Sequence, residues 1–166
     1  MPDSEVRFRE LVDKLRARGH RLTPQRVAVL KILSSSVGHP SVEQVYEQIE
    51  AEFPTTSLAT VYKTVTLLKE MGEVLELSCN GSNRYDGNKP YPHPHLICTV
   101  CGAIQDLDSA ALDEAIRHVA RDSEYEIASH RLDLYGVCPS CQASRPQPRT
   151  QLRTQLRTRS AFPGAG

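Results

Sequence analysis

No apolar run in this 166-residue chain approaches the ~20 residues needed to cross a bilayer, which excludes a helical membrane protein. The opening residues, MPDSEVRFRE, have neither the apolar core nor the cleavage pattern of a secretory leader. That absence points to the cytoplasm, where thiols stay reduced and paired cysteines hold metal more often than they form disulfides. Net charge is missing as well, since 20 Lys and Arg balance 20 Asp and Glu. A uniformly basic nucleic-acid binder is therefore excluded, and any DNA binding must come from local placement of charge. The balance conceals an asymmetry. Residues 1–71 carry ten basic and nine acidic side chains, residues 72–141 carry five and eleven, and the remainder carries five arginines and no acid. What is present, 39% hydrophobic residues over this length, suits a globular chain of one mid-sized or two small domains.

The N-terminal half reads as helices. Phe8, Leu11, Val12 and Leu15 recur at helical spacing over residues 4–18, with Arg7, Arg9, Lys14, Arg16 and Arg18 on a basic far side. Thr23 and Pro24 suit the start of a second helix running to about Ser35 and burying Val27, Leu30 and Leu33. After the break at Gly38-His39-Pro40, Ser41 and Gln44 form a capping box for a helix with Val42, Val45, Tyr46, Ile49 and Phe53 on one stripe. Ser57 caps a fourth helix, with Leu58, Val61, Val65 and Leu68 inward and Thr60, Lys63, Thr64 and Thr66 outside that stripe; Tyr62 sits at its edge. The period then becomes strand-like. EVLELSC, Asn80-Gly81 and SNRYD predict a β-hairpin. Helices followed at once by a hairpin make a winged helix-turn-helix, whose last helix enters the major groove while the wing and helix N-termini touch phosphates. Thr60, Lys63 and Thr64 are the candidate groove contacts, with Arg21 and Arg26 as backbone clamps; periodicity alone leaves Tyr62 open between packing and projection.

This reader unit is expected over residues 1–86, and GNKPYP, residues 87–92, reads as a hinge. Residues 93–141 predict a small α/β unit: strand HLICTV, strand AIQDL, a helix from Ser109 to Arg121 with Leu112, Ile116, Val119 and Ala120 inward, and a last strand YEIASHRLDLYGV. Its sheet edges would be available to a second copy. Residues 142–166, polar and acid-free with the repeat QLRTQLRT, lack the periodicity to fold and are expected to be a disordered basic tail. The fold class expected is α+β, a winged helix plus a small α/β dimerisation domain.

Two constellations carry metal-ligand chemistry. Cys98, Cys101, Cys138 and Cys141 form two C-x-x-C pairs. Four thiolates satisfy tetrahedral zinc without an open position, so the site is expected to be structural and to staple the two ends of the small domain. The remaining cysteine, Cys79, reads as a buried hairpin thiol. The second constellation is His39, Asp86, His93, His95 and Asp106. Imidazoles and carboxylates together suit Fe(II), Mn(II) or Zn(II). His39 and Asp86 belong to the reader and the other three to the hinge and sheet. One ion bridging them would set the angle between the two units and shift the population toward a DNA-competent state.

Over roughly residues 5–141 the chain resembles the ferric uptake regulator family, through RLTPQR, GHPSVEQVYEQI, SLATVYK, HPHLICTVCG and SHRLDLYGVCPSC. The resemblance implies a homodimeric, metal-activated bacterial repressor that binds inverted repeats in double-stranded DNA, with Tyr62 and Lys63 touching that DNA. In detail the chain is similar to the peroxide-sensing branch, whose regulatory site of three histidines and two aspartates matches His39, Asp86, His93, His95 and Asp106. Iron-sensing members usually have glutamate at the positions of Asp106 and Asp86. Pro92-His93-Pro94-His95 stands where many iron and zinc sensors have H-H-D-H, which leaves His130 without its expected partners. GNKPYP is one residue longer than the corresponding loop of typical peroxide sensors. The resemblance further implies that Fe(II) reduces peroxide beside its own ligands, that His39 and His93 are then oxidised, and that the DNA is released. Mn(II) in the same place would give a peroxide-blind repressor.

A plain iron-responsive repressor is the main competing expectation, followed by manganese or zinc sensing. A hydrolase is disfavoured because no serine or glutamate stands as nucleophile or base beside the H-x-H pair. A zinc-held adaptor would leave the reader unexplained. The chain is therefore expected to be a regulator and not an enzyme.

Overall fold

The structure is a computed structural model that describes residues 3–79 and 81–144. Four helices come first. In α1 (Ser4–Ala17), capped by Asp3, Leu11 and Leu15 are fully buried. Arg7 departs from its expected place on the basic face and is 3% exposed. Its Nε donates to the Gly87 carbonyl at 2.9 Å and its Nη2 to the Glu73 carbonyl at 2.8 Å, acceptors far away in sequence that draw the guanidinium inward. The Thr23 hydroxyl accepts from Arg26 N–H to cap α2 (Pro24–Ser35), which buries Val29, Leu30 and Leu33; Val27, expected in the core, is only half-buried.

The capping box of Ser41 and Gln44 starts α3 (Val42–Glu50), with both reciprocal hydrogen bonds made. The core face of α4 (Leu58–Glu70) is Val61, Thr64, Val65 and Leu68, an i, i+3, i+4, i+7 stripe. Leu58, expected inward, is 37% exposed. Thr64, expected outside, is 1% exposed, and its hydroxyl donates to the Thr60 carbonyl at 3.0 Å. A threonine that satisfies its own hydroxyl within the helix is nearly as easy to bury as valine. Thr64 is therefore a core residue and not a DNA contact.

Strands β1 (Leu75–Cys79) and β2 (Ser82–Asp86) pair antiparallel as the wing, with Leu75 opposite Asp86. The chain then turns at Gly87, where a Cβ would stand 2.8 Å from Leu33 Cβ, so only glycine lets the backbone lie against α2. Asn88 and Lys89 are buried with it. The first half of the expected hinge is thus packed, and only Tyr91 and Pro92 are exposed.

The second unit holds β3 (His95–Cys98), β4 (Ile104–Asp106), α5 (Ala110–Asp122), β5 (Asp133–Gly136) and α6 (Pro139–Ala143). The sheet order is β4-β3-β5, with β4 antiparallel and β5 parallel to β3. The long last strand expected from residue 125 is confined to Asp133–Gly136, because β3 offers only four residues to pair with. The face of α5 expected to point inward is only partly covered: Leu112, Ile116 and Ala120 are half-buried, and Val119 is 61% exposed. Residues 142 and 143, expected in the tail, complete α6; residues 145–166 lie outside the described residues. Leu77 and Cys79 of the wing form a second apolar cluster with Ile97 and Ile104 of the sheet, and this is where the two units meet. Among the described residues no helix is long and apolar enough to cross a membrane.

Candidate metal centres

Two turns bring the cysteines together. Gly102, at φ +70°, lets its N–H return to the Cys98 carbonyl at 3.0 Å, closing the Cys98–Cys101 knuckle. Cys138 is the N-cap of α6, which places Cys141 one turn further on. Thr99 N–H donates to Gly136 O at 2.8 Å, tying the two knuckles to each other. The four sulfurs all lie within 4.8 Å of one another, with Cys101 and Cys138 at 3.7 Å.

At this spacing the four sulfurs cannot all be thiolates without a cation between them. The N–H groups of Cys101 and Cys138 draw the Cys98 thiol down to about 6, whereas contacts with the Cys138 and Cys101 sulfurs push Cys141 up to about 12. A divalent cation removes that conflict by favouring all four thiolates. The donor set and its convergence fit a structural zinc ion.

The second cluster joins both units. His39 is at the α2–α3 turn and Asp86 ends the wing, while His93 precedes β3, His95 begins it and Asp106 ends β4 opposite His95. One donor atom from each of the five lies within 4.8 Å of the others. His39 Nε2 is 2.9 Å from Asp106 Oδ1 and 3.5 Å from Asp86 Oδ2; His93 Nε2 is 3.2 and 3.3 Å from the same two oxygens. The His93 and His95 rings are 4.3 Å apart, and those of His39 and His95 5.3 Å.

Despite these short distances the directions are wrong for hydrogen bonds. His39 Nε2, Asp86 Oδ2, His93 Nε2, His95 Nε2 and Asp106 Oδ1 are all buried without a partner. Each such atom costs about 1–3 kcal/mol if left so, and together they form a set that one cation would satisfy. This is the observation by which the residues fit a metal. The charges agree. Burial would lower His39, but Asp106 and Asp86 outweigh it and hold the imidazole at about 9. His95 is lowered by burial and by the neighbouring His93 and His39. Asp106, which burial alone would raise, is held far below the carboxylate range by His39, His93 and Lys89.

Ring orientation is set from outside. His93 Nδ1 is 2.9 Å from the Tyr91 carbonyl, which turns Nε2 toward the cluster. His95 Nδ1 lies 3.4 Å from Asp133 Oδ1 without a hydrogen bond between them, and the other oxygen of Asp133 accepts from Arg131 Nε at 2.6 Å. A carboxylate beside the outer nitrogen of a ligating histidine favours the tautomer with its proton on that nitrogen. Sequence reasoning passed over Asp133, although a lone acid between two leucines in SHRLDLYG was the available signal. It also passed over Lys89, which has no such signal, and over Arg84, whose guanidinium donates to the main-chain carbonyls of His39 and Gly38. His130 is not among the clustered residues.

Of the candidate DNA contacts, Tyr62 is 44% exposed with its hydroxyl donating to Glu43 Oε1 at 2.6 Å, and Lys63 is exposed beside it. Thr60 is half-buried. Arg21 is exposed, and Arg26 donates through Nη1 to the Arg21 carbonyl at 2.6 Å. These groups stand near the N-terminal halves of α2 and α4.

Known proteins agree with this architecture. The ferric uptake regulator family profile matches residues 17–135. The peroxide-responsive repressor PerR of Staphylococcus aureus (strain USA300) is 37% identical over 139 residues, 83% of this chain and 93% of that protein. The Helicobacter pylori ferric uptake regulator Fur superposes with a TM-score of 0.72 at 24% identity, over 84% of this chain and 94% of that one, a likeness of fold. The Campylobacter jejuni peroxide stress regulator superposes with a TM-score of 0.63 at 34% identity, over 80% of this chain and 97% of that one.

Proposed function

The chain belongs to the ferric uptake regulator family, and from that premise we propose that it is a metal-activated, DNA-binding repressor of the peroxide-sensing kind. The observation that carries the proposal is the five-residue cluster of buried, unpartnered donors drawn from both units. His39 and Asp86 sit on the reader, His93, His95 and Asp106 on the sheet side. Closing these five on one ion holds the wing and the α2–α3 turn against the sheet, and with them the angle of α4. A ligand that binds this arrangement better than a looser one shifts the population toward it.

The peroxide branch is supported by two features of the site. Both carboxylates are aspartates, and the identity to peroxide-responsive relatives is 37% and 34%. Fe(II) held by these residues supplies one-electron reduction of hydrogen peroxide in a buried place. By the family resemblance His39 and His93 would be the side chains oxidised; their Nε2 atoms face the same two carboxylate oxygens. An oxidised ring binds metal less well and frees the reader. Mn(II) would hold the site without that chemistry. Cys98, Cys101, Cys138 and Cys141 would keep zinc throughout.

DNA binding is assigned to Tyr62, Lys63 and Thr60 on α4, with Arg21 and Arg26 on phosphates. A homodimer on an inverted repeat, in the cytoplasm, completes the reading. Its support is the uncovered apolar surface of the second unit, where Val119, Tyr125 and Tyr135 are 61%, 78% and 61% exposed.

The test is anaerobic operator binding by zinc-loaded protein with Fe(II) or Mn(II), before and after a small dose of peroxide. Release only from the iron form, with added oxygen mass on the peptides containing His39 or His93, is the expected result. If both forms hold the DNA through peroxide, the chain is a plain metal-responsive repressor.

A further inference from the structure

Lys89 is 4% exposed, and lysine is almost never buried without a partner. Its Nζ is 3.1 Å from Asp106 Oδ2 and 3.1 Å from Asp108 Oδ1. Asp108 is 87% exposed, so its share of the pairing is screened by water, and the better shielded partner is Asp106, at 17% exposed. The other oxygen of Asp106, Oδ1, is the one that faces His39 and His93. The carboxylate is therefore divided, one oxygen toward the rings and one toward the ammonium.

Asp86 is divided by the same turn. Its Oδ1 accepts from the N–H groups of Asn88 at 2.9 Å and Lys89 at 3.0 Å, while Oδ2 faces His39 and His93. Gly87 puts the turn there by lying directly against Leu33. Two consecutive residues thus occupy one oxygen of each aspartate: the backbone of Asn88 and Lys89 takes that of Asp86, and the Lys89 side chain takes that of Asp106.

We propose that Lys89 is a positioning residue that keeps Asp106 a one-oxygen ligand, so that the site offers five protein donors and leaves a coordination position open to a small ligand. The inference rests on the reading of this cluster as the regulatory metal site. Carboxylates bind metals through one oxygen or two, and a second oxygen from Asp106 would fill the sixth position of an octahedral ion. Lys89 opposes that by holding Oδ2 with a charge-assisted contact in a buried place. It needs no contact with the ion itself.

The test uses the full zinc-loaded chain with Co(II) as the probe and azide as the small ligand, compared in wild type, Lys89→Met and Lys89→Arg. Wild type is expected to take one further equivalent of Co(II) with the stronger d–d bands of five-coordination, and to respond to azide. Lys89→Met should bind Co(II) with the weaker bands of six-coordination and bind azide about tenfold or more weakly, the scale of outer-shell effects at metal sites. Lys89→Arg should restore both. Zinc content and circular dichroism report folding, and Lys89→Gln replaces Lys89→Met if the latter does not fold. A Lys89→Met or Lys89→Gln protein with the wild-type spectrum and azide response overturns the proposal. So does a folded variant that loses Co(II) altogether, since Lys89 would then hold the site together and not restrict it. Wild type that takes up no Co(II) beyond its zinc would instead remove the regulatory-site reading on which the proposal stands.

Discussion

Arg84 of the wing donates through Nε to the main-chain carbonyl of His39, and through Nη2 to that of Gly38 at 3.1 Å. His39 has φ +50°, a left-handed conformation that costs a non-glycine residue roughly 1–2 kcal/mol. Tyr85 N–H donates to the Pro40 carbonyl at 3.0 Å from the next position of the same strand. The strand that ends in Asp86 therefore also holds the turn that presents His39. Two members of the five-residue cluster reach it as one piece.

Arg84→Ala should loosen His39 while leaving the cysteine site alone. Mn(II) affinity of the zinc-loaded protein is expected to fall about tenfold, as for other supports of ligating histidines, with zinc content unchanged. Fluorescence or calorimetric titration with Mn(II), beside a zinc assay, checks this. An unchanged affinity would mean that the turn keeps its shape without the wing.

Glu73 anchors α1 to the base of the wing, with Arg7 Nη1 at 3.1 Å and Lys14 Nζ at 2.8 Å. Burial would raise its carboxyl, but Lys14 and Arg7 outweigh that and hold it below the usual 4.5. A depressed folded-state value contributes stability at pH above 4.5 that is lost as pH falls through the folded value. Glu73→Gln removes the carboxylate shared by Arg7 and Lys14, while Arg7 keeps the Gly87 and Glu73 carbonyls and Glu10; it should cost about 2 kcal/mol at pH 7, as for hydrogen bonds to a charged group. The gap from wild type should narrow below pH 4.5. Urea unfolding at pH 7 and pH 4 measures both.

Removing the cysteine site should separate the two metals. Cys141→Ser, or a strong zinc chelator, is expected to take zinc from the protein and unfold the β3–β5 unit, since the ion would staple its two ends. The α1–α4 helices, whose core includes Leu11, Leu30, Val45, Val61 and Leu68, should keep their helical signal. Circular dichroism with zinc analysis gives the answer. Loss of all structure at once would show that the reader cannot stand alone.

Lys63 and Thr64 are adjacent in sequence and opposite in placement. Lys63→Ala should weaken operator binding and lower the salt dependence by about one unit of slope, as for one lost phosphate contact. Thr64→Val should leave affinity and slope as they are, because residue 64 is 1% exposed on the core face. Fluorescence anisotropy over a salt series distinguishes the two. A Thr64→Val variant with the Lys63→Ala phenotype would mean that the turn of α4 is misjudged.

Much of the fold was legible because its signals are local. The caps at Thr23, Ser41 and Ser57 stand where side-chain oxygens reach the backbone N–H three residues on. The hairpin and both cysteine knuckles likewise follow from short-range spacing. Errors arose where the deciding partner was remote. Arg7 is buried by Glu73 and Gly87, which lie 66 and 80 residues away. The last strand is short because β3 is short. The α5 face is only half-covered, because the described residues of the single chain set too little against it.

The sequence by itself determined the chemical types: four thiols in two C-x-x-C pairs, imidazoles two apart, and aspartates in place of glutamates. Those choices bound which ions suit each site, since ligand softness and charge belong to the residue. Only the tertiary structure decided which oxygens face the rings and which are held by the protein. Asp86 and Asp106 each have one oxygen taken by the Gly87–Lys89 turn, and that turn sits where it does because glycine fits against Leu33. Direction and distance between groups far apart in the chain are properties of packing, and no local pattern in the sequence encodes them.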